Sequence, residues 1–418
     1  MKISTVRQLF GNRNFALFSV GNVLSLTGNW IQLVAVSWLI WELTNSTVWL
    51  GIVAASQFVP IFLVSPLGGV LADRLDRRRL ILFSNGGGLL CALALFIIYG
   101  TGHLNVVIIC IIRALQATFQ SLGQPARLAV VPRLVPSEQQ TAAIAIGNIS
   151  LHTARLLGPI LSGVVVAVSG IGLAMLVNAL SFLVFLACIA AIRLPDLERK
   201  ASRPPVRRAG AFSEAIEGMA CLGRNRAILI TVVLAAVMVL FARPIMFMLP
   251  AYVGAVFAEG MAGLSILISM SAAGSILGGL SMARTRHSSG LMKVVLLSSL
   301  VIAATATAFA LARDYWVAGA FLVVLGFMNV VFSVSSQSLV QHTVDEDTRG
   351  RVMSSWFMLN RGGPALGTFF FGIAADLIGL SWPVILGSGV VLVTVLLCLL
   401  YRRRTFDRRH KRRMSSFV

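Results

Sequence analysis

Gly68-Gly69-Val70-Leu71-Ala72-Asp73-Arg74, where an apolar run gives way to charge, has an echo about 210 residues further on in Gly278-Gly279-Leu280-Ser281-Met282-Ala283-Arg284. A looser pair follows the same offset: Arg155-Leu156-Leu157-Gly158-Pro159 and, one residue shorter, Arg361-Gly362-Gly363-Pro364. A chain of 418 residues that repeats at half its length reads as two homologous halves, a parallel six-plus-six repeat.

Outward from these anchors the sequence is a series of apolar runs. Hydrophobic residues make up 57% and charged residues 12%, and the mean hydropathy is +0.87. A soluble domain of this composition would expose a large apolar surface, so the solvent is lipid. The runs reach about 20 residues or more, the length that crosses a hydrocarbon core about 30 Å thick at 1.5 Å rise per residue. The short alternating segments of a membrane barrel are not present.

The predicted fold class is an all-α polytopic membrane protein with twelve transmembrane helices. Spans are predicted near residues 14–41, 47–71, 80–100, 104–123, 140–168 and 171–192. The second six are predicted near 227–251, 261–282, 291–312, 315–340, 352–377 and 382–401. Residues 1–192 form the first bundle, 193–226 a linker, 227–401 the second bundle and 402–418 a basic tail. Pro195, Pro204 and Pro205 mark the linker. Within it Phe212, Ile216 and Met219 recur at helical spacing, which predicts a short surface helix.

Net charge +20 would point to nucleic acid in a soluble protein, but the charges lie between the apolar runs, with no nucleic-acid-binding signature. Thirty of the 35 Lys and Arg residues fall in the termini and in the loops on the same side, against Arg313 alone on the other. By the positive-inside rule both termini are cytoplasmic, in the inner membrane of a bacterium. The five cysteines show no metal-ligand spacing and read as packing residues, so no metal and no cofactor are expected. The chain has no P-loop, no G-x-S-x-G and no H-E-x-x-H; a membrane enzyme or scaffold is the rival class.

Three motifs carry a resemblance. Gly69-Val70-Leu71-Ala72-Asp73-Arg74-Leu75-Asp76-Arg77-Arg78 follows G-x-x-x-D-R-x-G-R-R, with Asp76 in place of the second glycine. Arg113-Ala114-Leu115-Gln116-Ala117 follows R-x-x-Q-G, with Ala117 for the glycine. Gly158-Pro159-Ile160-Leu161-Ser162-Gly163 is similar to the fifth-helix motif of exporters. Together they resemble the major facilitator superfamily over essentially the whole chain. Pro125-Ala126, Pro132-Arg133-Leu134-Val135 and Arg349-Gly350-Arg351-Val352-Met353-Ser354 resemble its drug and siderophore exporter branch.

The resemblance implies a secondary transporter working by alternating access, an exporter of a siderophore-like or drug-like molecule. Uptake or exchange of an organic anion and lysolipid flipping stand as alternatives. Expected partners are a small-molecule substrate and membrane lipids, with protons a further candidate, for a chain that acts as a monomer. Gly69, Asp73, Arg74, Arg77 and Arg78 would latch the halves in one state, Asp73 facing the start of the eleventh span.

Arg113, Arg155, Arg243 and Arg361 fall inside spans with no acid well inside to neutralise them. Each costs about 2.5 to 3.5 kcal/mol at mid-bilayer and so faces the protein interior. Arg155 with Gly158, Pro159 and Gly163, and Arg361 with Pro364, read as packing and gating groups. Arg113 and Arg243 read as substrate groups.

Asn22, Asn29 and Gln32 form one polar stripe with Ser25 on the first span. Gln116 and Gln120 continue Arg113, while Asn329, Ser333 and Gln337 form a stripe on the tenth span. These are the candidate cavity residues, with helix packing as the alternative. Trp30, Trp38, Met246 and Met248 are candidates for an apolar wall. His152, below Arg155 with Asn148, is a candidate proton carrier, with a neutral packing histidine as the alternative. Asp376 or the substrate's own charge are the other candidates for coupling, beside none at all.

Overall fold

The computed structural model describes residues 3–192, 226–284, 290–344 and 346–414, which are helical apart from short turns and include no strand among the described residues. A short helix, Ile3–Gly11, leads to α1, Arg13–Thr44. Asn12 joins them: its Oδ1 accepts from the backbone N–H groups of Asn14 (3.0 Å) and Phe15 (3.3 Å), which start α1. There follow α2, Thr47–Arg74, α3, Arg77–Gly100, and α4, Val106–Val130. The 52-residue run Gln140–Ala191 is broken at Ser169 and Gly170, with Gly170 at φ +77°, a value open to glycine because it has no Cβ. The break divides it into α5 (140–168) and α6 (171–191).

The span α7 consists of Arg226–Val237, a π turn Met238–Ala242, Ile245–Ala251 and a second π turn Tyr252–Val256. Then come α8, Met261–Arg284, α9, Leu291–Leu311, α10, Tyr315–Thr343, α11, Glu346–Ile378, and α12, Ser381–Met414. Nine helical stretches among the described residues are long and apolar enough to span alone, one of them, Ser137–Ala191, containing both α5 and α6. The shorter apolar stretches Thr47–Ile61 and Gly362–Ile378 belong to α2 and α11. Twelve spans result.

Side-chain caps explain several boundaries. Asp76, where the motif has glycine, is the N-cap of α3, its Oδ1 accepting from Arg79 N at 2.8 Å. Asn105 caps α4 and Asp314 caps α10 in the same way. Four ends differ from the sequence expectation by five residues or more. Helix α4 continues through Pro125 to residue 130, and α7 continues through Pro250 by means of a π turn to residue 256. Helix α11 begins at 346, and α12 runs 13 residues past Tyr401 because arginine and lysine propagate a helix well. Residues 193–225, including the expected surface helix, lie outside the described residues.

The chain divides into two compact units: Met1–Arg208 with Phe247–Ser269, and Ala209–Met246 with Met270–Val418. In the first, α1 packs on α5 and α6, α2 on α4, and α3 on α4 and α6. The end of α7 and the start of α8, which the sequence assigns to the second bundle, pack in this unit. A β-carbon at Gly254 would fall 2.0 Å from Trp41 Nε1, and one at Gly163 would fall 2.6 Å from Ser265 Cβ. An apolar core including Phe15, Phe18, Ile81, Ala126, Leu134 and Phe185 closes one end.

The repeat glycines do the same work in both units. A β-carbon at Gly68 would lie 2.7 Å from Ser121 O, where α2 crosses α4. One at Gly278 would lie 2.5 Å from Phe327 O, where α8 crosses α10. Close helix crossing therefore requires glycine at both equivalent positions.

Candidate functional site

Residue 113 of α4 is an arginine only 7% exposed, in a stretch that otherwise reads Ile108-Ile109-Cys110-Ile111-Ile112. Its guanidinium is held by side-chain amides. Nη1 donates to Gln116 Oε1 at 2.6 Å, one turn along the same helix, and Nη2 donates to Gln57 Oε1 of α2. Its Nε is buried and has no hydrogen-bond partner. Among the described residues its hydrogen-bond partners are these amides and no carboxylate.

The amides continue inward. Gln116 Nε2 approaches Gln32 Oε1 of α1 at 3.4 Å, and Asn178 Nδ2 of α6 donates to the same oxygen. Gln116, Gln32 and Asn178 are all essentially buried. One turn further along α4, Gln120 Nε2 donates to Asn29 Oδ1 at 2.9 Å, and Asn29 Nδ2 donates to Ser25 O at 2.9 Å. Four helices thus contribute to one polar network. A cavity of about 180 Å³ opens beside it, with Asn29, Gln57, Arg113, Gln116 and Gln120 as its polar lining and Trp30, Leu33, Ile61 and Ala117 as its apolar wall.

Asn29, Gln32, Arg113, Gln116 and Gln120 are thus brought together. Asn22 stands apart, half-buried on α1 two turns away. Gln57 and Asn178 are members that the sequence reading missed; each is a lone amide in an apolar span, with no helical periodicity to mark it.

Arg243, in the second unit, has different surroundings. It follows the π turn of α7, where its backbone N–H donates to Met238 O at 3.1 Å. Nη1 donates to Asn360 O at 3.1 Å and Nη2 to Ser333 Oγ at 3.1 Å. Asn360 lies four residues before Pro364, which has no N–H to offer its carbonyl. Arg243 supplies the donor that Pro364 lacks. Asn329 of α10 bonds its own helix at Leu325 O, 2.8 Å, and Gln337 is half-buried on the same helix.

Around α5, the Arg155 guanidinium lies 5.8 Å from the Trp30 ring centroid, and a β-carbon at Gly158 would fall 2.2 Å from Trp30 Cβ. Pro159 and Gly163 are buried in α5, as Pro364 is in α11. Trp38 Nε1 donates to Glu42 Oε1 at 2.6 Å, Met246 Sδ accepts from Ser271 Oγ at 3.6 Å, and Met248 is fully buried.

At the charged junction of α2 and α3, Arg77 and Arg78, the first residues of α3, bind helix ends. Arg77 donates to Ala72 O and Ala129 O, both at 3.4 Å. Arg78 donates to Ile189 O at 3.2 Å and to Ala190 O. These are carbonyls in the last turns of α2, α4 and α6, the negative ends of their dipoles. Arg74 is exposed, and a β-carbon at Gly69 would meet nothing within 4 Å. Arg127 of α4, read from sequence as a loop charge, donates to Asn85 Oδ1 and lies 4.5 Å from the Phe185 ring centroid. The side chains of Asp73, Asn148, His152 and Arg361 lie outside what the structure describes.

Residues 7–417 match the family described as Transmembrane secretion effector. The chain belongs to that family. It is a transporter of the major facilitator superfamily, a multi-pass membrane protein and not an enzyme. Over 396 residues it is 25% identical to the staphyloferrin A transporter of Staphylococcus aureus, covering 92% of this chain and 96% of that one. It is 27% identical over 377 residues to the enterobactin exporter EntS of Salmonella typhi, covering 88% and 87%. Among solved structures, the nucleoside transporter NupG superposes with TM-score 0.71 at 12% identity, over 93% of this chain and 99% of that one. The human organic anion transporter MFSD10 superposes with TM-score 0.64 at 16% identity, over 92% and 99%. Both show the fold. The major facilitator resemblance read from the motifs, its siderophore exporter branch included, holds.

Proposed function

We propose that this secretion-effector family member is a secondary exporter of a small, oxygen-rich organic molecule of siderophore type, cycling by rocking of 1–192 against 227–401. The observation that carries this reading is the buried Arg113, whose hydrogen-bond partners among the described residues are amides, beside a polar cavity. An acceptor oxygen or anion on the cargo gains charge-assisted hydrogen bonds there, about 1.5 to 3 kcal/mol each. The names of two relatives, a staphyloferrin A transporter and an enterobactin exporter, agree with such a cargo. Gln32, Asn29, Gln116 and Gln120 support the binding group, and Arg155 with Gly158, Pro159 and Gly163 packs the wall against Trp30.

The chain sits as a monomer in the bacterial inner membrane with both termini cytoplasmic, a reading supported by the thirty-to-one distribution of basic loop residues. Gly69, Asp73, Arg74, Arg77 and Arg78 form the cytoplasmic latch. Proton coupling through His152 or Asp376 belongs to the same reading.

The test is flux in everted inner-membrane vesicles with an iron-free catecholate as probe. An exporter accumulates it inside these vesicles under an imposed proton gradient. Loss from preloaded vesicles with no accumulation would make the protein an importer and overturn the proposal.

A further inference from the structure

The carbonyl oxygens of two glutamines occupy the places around Arg113 that carboxylate oxygens take in an ordinary ion pair. Gln116 is 1% exposed and engaged further with Gln32, so it belongs to the scaffold. Gln57 differs. It is half-buried, lines the cavity, and anchors its own amide nitrogen to Val53 O at 3.2 Å, so only its oxygen is committed to the arginine. The buried Nε of Arg113 adds a donor with no partner.

A guanidinium presents its N–H groups as a flat fork matched to two oxygens in one plane. Amide oxygens from two separate side chains solvate its charge without cancelling it. One planar carboxylate does both, and supplies the second oxygen that Nε lacks.

We infer that Gln57 is a stand-in ligand, displaced from Arg113 by a carboxylate on the transported molecule. The inference rests on the transport reading above and names its substrate class: a cargo with at least one carboxylate arm. The cavity, about 180 Å³, is smaller than the roughly 300 to 1,000 Å³ of a site that encloses a drug-sized ligand, so it takes one arm and not a whole siderophore. Trp30, Leu33 and Ile61 favour a flat apolar body behind the carboxylate. A cationic arm is repelled, and a neutral amide cannot neutralise the guanidinium.

The test uses the purified full-length protein in nanodiscs with benzoate and benzamide, a pair of similar shape that differ in charge, read by ligand-observed NMR. Wild type should bind benzoate at least tenfold tighter than benzamide. Gln57→Glu, which supplies an internal carboxylate, should remove that preference by weakening benzoate at least tenfold while leaving benzamide within threefold. Gln57→Ala empties the stand-in position and should bind benzoate as tightly as wild type or more so. That variant decides the matter should Gln57→Glu fail to fold. Equal binding of the two probes by wild type, or loss of benzoate binding in Gln57→Ala, overturns the inference. Benzoate preference with no organic flux in vesicles supports the site and removes the exporter reading; flux with no carboxylate preference does the reverse.

Discussion

Arg113 in the first unit and Arg243 in the second are both arginines inside apolar spans, and what surrounds them differs in kind. Arg113 is met by the side-chain oxygens of Gln116 and Gln57, beside a cavity. Arg243 is met by a main-chain carbonyl that Pro364 has left without its helical donor, and by Ser333. The first arrangement leaves a cation with one fixed ligand, Gln116, and one, Gln57, that a cargo oxygen can replace. The second repairs a helix. A shared fold and a shared residue type thus hold two occupations, distinguished by whether the partner oxygen is replaceable. Sequence alone treated the two alike.

The contrast breaks most readily at the first arginine. Arg113→Gln should weaken binding of an anionic cargo tenfold or more, measured on purified protein in nanodiscs, with the level in the membrane near normal. Arg113→Lys should rescue only in part, since an ammonium keeps the charge and loses the planar fork. Arg243→Gln should change the same affinity less than threefold. Equal losses at the two positions would erase the distinction.

The crossings of α2 with α4 and α8 with α10 offer a test of sameness. Gly68→Ala and Gly278→Ala each push a methyl group against a main-chain oxygen and should lower stability by about 1 to 3 kcal/mol, read by thermal unfolding. Gly69→Ala and Gly279→Ala, where a β-carbon meets nothing within 4 Å, should stay within about 0.5 kcal/mol of wild type. A large effect at only one of the crossing glycines would show that the repeat survives in sequence and not in packing.

The smallest expected effect sharpens the role of Arg243. Arg243→Met removes the donor to Asn360 O and should cost about 1 kcal/mol or more in stability. Pro364→Ala restores an N–H to that carbonyl, so the double variant should lose less than the two single losses added together, by about 1 kcal/mol. Strict additivity would mean that Arg243 is held for some other purpose.

The spans were legible because lipid imposes length and apolarity on every one of them, and Asn105 and Asp314 announce the starts of α4 and α10 in ordinary capping chemistry. The two π turns of α7 were not legible. Pro250 reads as an ending, and only the packed structure shows the backbone continuing past it to residue 256. Arg127 was concealed in the same way, since Pro125 two residues earlier suggests a loop where α4 in fact goes on.

At the candidate site, the stripe Asn29, Gln32 and the sequence Arg113 to Gln120 could be read from helical spacing. Gln57 and Asn178 could not, because a single amide in an apolar run gains its meaning from partners 56 and 146 residues away. One partner of Arg243, Asn360 O, is a main-chain oxygen, which no side-chain pattern can disclose. Local periodicity therefore reached the residues that share a helix and stopped at those joined only by the tertiary fold.

The amide setting of Arg113 has an electrical consequence. With a monoanionic cargo the occupied site moves as a neutral body, and the vacant site moves as a cation. A cytoplasm held 100 mV negative then draws the vacant site back toward it and favours the net outward passage of the anion, by up to about 2.3 kcal/mol per charge. That is a concentration ratio of about fiftyfold at equilibrium. Membrane voltage would then add to proton coupling in driving export, and collapsing it while a pH gradient is maintained would slow the cycle at the return of the vacant carrier.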